Sequence, residues 1–137
     1  MTINRNQQHY IIMTVIYDEL TDFVIGKGET FRDARDLTCE LCECSFDEVP
    51  EYIKETISYA INNYGKIREA FIANLKGWAW DRLPLLTQSV LLMSYAHKQI
   101  EEVEKKIVIN IAVDLAKKYI DPKQAKFINA ILDKTLN

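Results

Sequence analysis

The sequence predicts an all-α protein of about seven helices in two packed helical subdomains, forming a single domain over residues 1–137. Three observations point to this class. Apolar residues recur with a 3.6-residue period through most of the chain. No segment shows sustained period-two alternation, and no Asn-Gly or Asp-Gly hairpin pair occurs. Four Gly and three Pro are too few for a fold of many short strands and tight turns. Apolar residues at 48% and charged residues at 27% are a globular mixture. A chain of this length buries about two-thirds of its unfolded surface.

The elements follow in order. Residues 7–25 place Ile11, Ile12, Val15, Ile16, Leu20 and Phe23 at helical spacing, with Gly26 and Gly28 as the stop. Thr30 with Asp33 resembles a capping box for a short helix through Cys42. Ser45 and Glu48 form the Ser-x-x-Glu box, predicting a helix that runs to Tyr64 and breaks at Gly65. A further short helix is expected over residues 66–76, ended by Gly77. Pro84 then fits the first turn of a helix carrying Leu85, Leu86 and the run Val90-Leu91-Leu92-Met93. That helix is apolar on most sides and should be the central, buried one. Another helix spans residues 104–119, and Asp121-Pro122 caps the last, which carries Phe127, Ile128, Ile131 and Leu132.

Composition excludes several function classes. No stretch of about 18 residues runs without charge, so no membrane span is expected. The N-terminus lacks the basic, apolar and cleavage regions of a secretory signal, and three cysteines are an odd, sparse count. Both features favour a reducing cytoplasm. Net charge is −3, unevenly spread: residues 1–60 carry five Lys/Arg against twelve Asp/Glu, and residues 61–137 twelve against eight. The asymmetry allows a basic face on the C-terminal half; the alternative is that helix surfaces carry this charge for solubility.

Few residues suggest chemistry. Cys39, Cys42 and Cys44 have metal-like spacing, but a closed zinc site needs four ligands and no second Cys/His pair lies nearby. Cys39 and Cys42, three apart on a helix, read as small core residues with Cys44 at the helix end, and no metal or cofactor is expected. His9 and His97 are single and far apart in sequence, and there is no Gly-rich phosphate loop, so catalysis is not expected. The C-terminal segment differs. Lys117, Lys118, Lys123, Lys126 and Lys134 cluster around Tyr119 and Phe127. Lysines neutralise phosphates and an aromatic face stacks on an unpaired base; the alternative is a core Phe127 beneath a solvated charged face. Trp78 and Trp80 at a helix junction read as core packing or as an anchor for a protein partner.

The run Val108-Ile109-Asn110-Ile111-Ala112-Val113-Asp114-Leu115-Ala116-Lys117-Lys118-Tyr119, then Lys126-Phe127-Ile128-Asn129-Ala130-Ile131-Leu132-Asp133-Lys134, resembles the C-terminal pattern of the NusB family. Trp78 with Arg82-Leu83, and Val15-Ile16-Tyr17, are similar to the family as well. The likeness runs from about Trp78 to Lys134, is thin over residues 1–25 and is absent over 26–65. The resemblance implies two small helical bundles and a non-enzymatic transcription antitermination factor. Such a factor binds boxA-like single-stranded RNA together with the ribosomal protein NusE and joins the elongating RNA polymerase. It implies an RNA surface made by the N-terminal arm, here with Arg5 as its fixed charge, by Tyr17 and by Phe127; Lys118, Lys123 and Lys126 are added on electrostatic grounds. It places NusE near the helix that begins around Arg82, where Trp78 and Trp80 are candidates. The departures are an arm with a single Arg, Ile111 for the family's Glu and Ala130 for its Gly. Two alternatives stand beside this reading. One is a protein-interaction module with little RNA affinity. The other is the RNA-binding domain of a ribosomal RNA methyltransferase, for which the residues after Lys134 leave no room for a cofactor fold.

Overall fold

The computed structural model describes residues 2–26 and 33–137, and among these it contains seven α-helices and no strand. Helix α1 spans Arg5–Ile25, α2 Ala34–Cys42, α3 Glu51–Asn62, α4 Tyr64–Ile72, α5 Leu85–Ile100, α6 Lys105–Tyr119 and α7 Pro122–Thr135. Single 3-10 turns occupy Phe46–Glu48 and Trp80–Arg82.

Local chemistry sets the boundaries. Asn4 caps α1 by accepting from the Gln7 N–H (2.9 Å), while the Gln7 side chain accepts from the Asn4 N–H (2.9 Å). This starts the helix two residues before the apolar pattern does. Gly26 ends it with φ +98°, a conformation that favours glycine. The expected Thr30 cap and the Gly28 stop lie outside the described residues. The observed cap of α2 is Asp33, which accepts from the Asp36 N–H at 2.8 Å. The Ser45–Glu48 pair does not open α3. Ser45 Oγ bonds the Glu48 carboxylate (2.9 Å) around one 3-10 turn. Pro50 then holds Val49 extended (φ −65°, ψ 132°), so the α-helix begins at Glu51.

Gly65 is not the break between α3 and α4. It lies in the first turn of α4, and the break falls at Asn63 (φ −116°, ψ 23°), whose backbone N–H and side-chain amide both donate to the Tyr59 carbonyl at 3.0 Å. Helix α4 also stops at Ile72, short of the expected Lys76.

Helix α5 is the centre. It packs against α1, α3, α4, α6 and α7, and Thr87 through Ser94 are all buried. The Ser89 hydroxyl donates to the Met13 carbonyl (2.6 Å), so a small polar side chain joins α5 to α1 where the helices meet. Helices α2 and α3 each pack on α1, α6 packs on α7, and α5 packs on members of both groups. The two bundles therefore share one continuous core, with Ile12, Val15, Ile53, Leu91, Ala112 and Ile128 fully or almost fully buried.

Candidate nucleic-acid interface

Helix α7 carries the basic aromatic face. The Asp121 carboxylate accepts from the Gln124 N–H (2.7 Å) and Pro122 occupies the first turn, which fixes where the helix starts. The Thr87 hydroxyl of α5 donates to Gln124 Oε1 (2.9 Å) and ties that turn to the central helix. Ala125, Ile128, Ile131 and Leu132 point into the core. With 3.6 residues per turn, Lys123, Lys126, Phe127, Ala130 and Lys134 then share one sector away from it. Lys123, Lys126 and Lys134 are exposed and Phe127 is half-buried, its inner edge packed on the core. Cations are disfavoured at a helix N-terminus, where the macrodipole is already positive. Lys123 and Lys126 in the first two turns therefore make this end of α7 attractive to an anion rather than optimal for stability.

The two tryptophans have opposite fates. Trp78 is 58% exposed, and its ring lies 6.0 Å from the Phe127 ring at 51°. It extends the α7 aromatic surface, a pairing across 49 positions that no local spacing reveals. Trp80 is 2% exposed and stacks on Phe71 (5.7 Å, 22°). Its indole N–H donates to the Tyr64 hydroxyl (3.0 Å), and its carbonyl accepts from Gln88 (3.1 Å). Trp80 as a partner-docking residue is therefore corrected: it is core, because the 3-10 turn Trp80–Arg82 rotates it inward. Arg82 on the same turn is exposed.

Tyr17 is 40% exposed on α1. Helices α1 and α7 each pack on α5 rather than extensively on each other, so Tyr17 and Phe127 lie on separate elements. Lys118 is exposed at the end of α6 with its ammonium 5.3 Å from the Tyr119 ring centre. The sequence reading passes over Tyr10, also 40% exposed, whose ring lies 5.2 Å from that of Tyr119. Its spacing of seven from Tyr17 was a usable signal, since both then fall on one stripe of α1.

Arg5 is engaged within the protein. Its Nη2 donates to both oxygens of Glu101 (2.9 and 2.7 Å), and its guanidinium carbon sits 3.5 Å from the centre of the Tyr52 ring. The Arg5 guanidinium stays partly exposed, so a phosphate that contacts it would meet a charge already paired with Glu101. Beneath this pair lie His9 and His97, ring centres 6.2 Å apart and each against Tyr52. His97 Nε2 is bonded to Glu101 Oε1 at 2.7 Å. Burial is the main cause that lowers the His9 pKa to about 4, with the nearby His97 and Arg5 adding to it and Glu101 opposing. Burial also lowers that of His97, with Glu101 opposing, and raises that of Tyr52. Both imidazoles are neutral at pH 7. Among the cysteines, Cys42 is buried and its thiol is pushed up to about 11 by burial and then by Cys44 and Cys39, so it stays protonated. Among the described residues no group of three or more His, Cys, Asp or Glu is placed to hold a metal ion, and no helix is long and apolar enough to cross a membrane.

Comparison with known proteins agrees with this architecture. The NusB-family sequence model matches residues 12–137. Transcription antitermination protein NusB of Clostridium botulinum (strain Kyoto / Type A2) is 38% identical over 87 residues, covering 63% of this chain and 61% of that protein. The protein of the same name from Bacillus cereus (strain B4264) is 31% identical over 87 residues, covering 63% and 67%. The match thus spans about three-fifths of the C. botulinum relative. Among solved structures, T. maritima NusB superposes with a TM-score of 0.75 at 19% identity, over 98% of this chain and 92% of that one, a likeness of fold. A chain in the crystal structure of a plectonemic RNA supercoil also gives 0.75, at 25% identity over 96% and 92%. With the family pattern running through all but the first eleven residues, the chain belongs to the NusB family.

Proposed function

We propose that this protein is a cytoplasmic transcription antitermination factor that binds boxA-like single-stranded RNA together with NusE and joins the elongating RNA polymerase. The observation that carries the reading is the face of α7: a half-buried Phe127 beside an exposed Trp78, fringed by Lys123 and Lys126. An unpaired base stacks on the ring and the ammonium groups meet the flanking phosphates. Tyr17 and Lys118 continue the surface on α1 and α6. NusE docks near Arg82, with Trp78 at the boundary between the two partners. Support comes from the relatives named transcription antitermination proteins and from the fold neighbour found in an RNA crystal structure. No step requires catalysis or a cofactor.

Filter binding of a boxA-like RNA with and without NusE tests this. Saturable binding that NusE strengthens is expected, and Phe127→Ala should weaken it by about 1–3 kcal/mol. Absence of saturable binding in both arms at low salt would contradict it. A second reading, an interaction module with little RNA affinity, is favoured by one observation: Glu101 holds the arm's Arg5. Capture of NusE without RNA binding by the resulting complex would select that reading.

A further inference from the structure

We propose that the groove between the N-terminal end of α1 and the C-terminal end of α6 is a second base-binding subsite, taking an unpaired nucleotide of the RNA strand at a place distinct from Phe127. This deepens the RNA-binding reading and rests on it. The groove has a volume of about 410 Å³ and is lined by Asn6, Gln7, Tyr10, Glu43, Lys118 and Tyr119, among others. A smaller cavity of about 180 Å³ shares Asn6, Lys118 and Tyr119 with it and reaches His9 and Asp114. Tyr10 and Tyr119 meet at 5.2 Å and 44°, leaving a tilted pair of rings rather than a closed stack, with Tyr10 still 40% exposed. His9, 4% exposed, has its Nε2 buried without a hydrogen-bond partner.

The lining selects the ligand class. Two aromatic rings favour a flat heteroaromatic group over an aliphatic one. The Asn6 side-chain amide can match donor and acceptor edges of a base, and Gln7, whose Oε1 is taken by the Asn4 N–H, adds its amide nitrogen as a donor. One lysine, Lys118, can meet one phosphate. The carboxylates Glu43 and Asp114 repel a bare polyanion but accept from the exocyclic amine of cytosine or adenine. The site therefore reads a base first and a phosphate second.

Its placement indicates a polymer rather than a free nucleotide. Tyr10 and Tyr17 lie seven residues apart on one stripe of α1, two turns or about 10.5 Å along the axis. Thr14 and Thr21 on the same stripe have their hydroxyls turned back to the Tyr10 and Tyr17 carbonyls (2.8 and 2.9 Å), so they leave the rings as its interacting groups. Tyr119 closes α6 two residues before α7 is capped by Asp121, which places the groove near the chain's entry into the lysine-bearing helix. Repeated rings in line suit successive bases of one strand.

The test is fluorescence anisotropy with a single-stranded RNA of about twelve nucleotides containing cytosine and adenine, on the wild-type protein, on Tyr10→Ala, Tyr10→Phe and Phe127→Ala, and on the variant combining Tyr10→Ala with Phe127→Ala. Tyr10→Ala should weaken binding about ten-fold, Tyr10→Phe should stay within about two-fold, and the Tyr10 and Phe127 effects should multiply in the double variant. Photocrosslinking of a 5-iodouridine-substituted strand to the unaltered protein should label the peptide holding Tyr10 or Tyr119, a readout that needs no variant to fold. If Tyr10→Ala binds as the wild type does and no crosslink maps to either ring while Phe127→Ala is weakened, the groove takes no base although RNA binding stands. If the wild-type protein binds no RNA, the parent reading fails and this subsite falls with it.

Discussion

At the residue scale, two positions apart decide different things. Trp80→Ala should cost about 3–5 kcal/mol in urea unfolding, because it empties a stacked site between Phe71 and Tyr64. Trp78→Ala should change stability by less than about 1 kcal/mol and act on RNA binding instead, since its ring is mostly in solvent. The sequence could not separate them, because the inward turn at Trp80 is set by packing on α4, through Phe71 nine residues and Tyr64 sixteen residues upstream. The cluster of Arg5, His9, Tyr52, His97 and Glu101 was equally hidden. It joins three helices and the start of the α5–α6 connection, although Arg5/His9 and His97/Glu101 each show the i,i+4 spacing of one helix face. Glu101→Ala should cost about 1–3 kcal/mol by leaving buried His97 Nε2 without its partner. Acid should act here too. The fold holds His9 neutral down to about pH 4, whereas the unfolded chain takes up the proton near 6.5. Stability is therefore full above pH 6.5 and falls as pH drops towards 4, by on the order of 3 kcal/mol through this group, with His97 acting in the same direction. Urea titrations from pH 7 to 4 should show a shallower decline for His9→Gln than for the wild-type protein.

At the element scale, the long helices were legible and their joints were not. The apolar character of α5 and the Asp121-Pro122 start of α7 are carried by local sequence, and the structure places both as the pattern predicts. The Ser45–Glu48 box failed because Pro50, two residues beyond it, outweighs a capping pair. Gly65 failed because a glycine in a first helical turn costs little, whereas Asn63 leaves helical dihedrals (φ −116°, ψ 23°) and its side-chain amide joins its own N–H on the Tyr59 carbonyl. The cap of α7 bears on function as well as stability. Asp121→Ala should lower stability by about 1 kcal/mol in urea unfolding. It should also weaken RNA binding less than Phe127→Ala does, since the lysines and the ring remain in place once the helix has formed.

At the scale of the whole molecule, the acidic first 60 residues and the basic remainder meet in a structure whose basic aromatic surface is gathered on the helices of the C-terminal half. The sequence showed that asymmetry and the α7 face, but not that Trp78 joins Phe127 or that Glu101 takes Arg5, because both pairings cross the tertiary fold. If Lys118, Lys123 and Lys126 each neutralise one phosphate, log K for a single strand should fall with log salt with a slope of roughly −2, and Lys126→Gln should reduce it by about 0.7. The most direct measurement is an NMR chemical-shift map of single-stranded boxA-like RNA titrated into the isotope-labelled protein. Shifts should concentrate on Trp78, on Phe127 and the first two turns of α7, and on Tyr17. Shifts confined to the α2–α3 side, or no shifts at all at low salt, would contradict a lysine-fringed aromatic face as the place where RNA is bound.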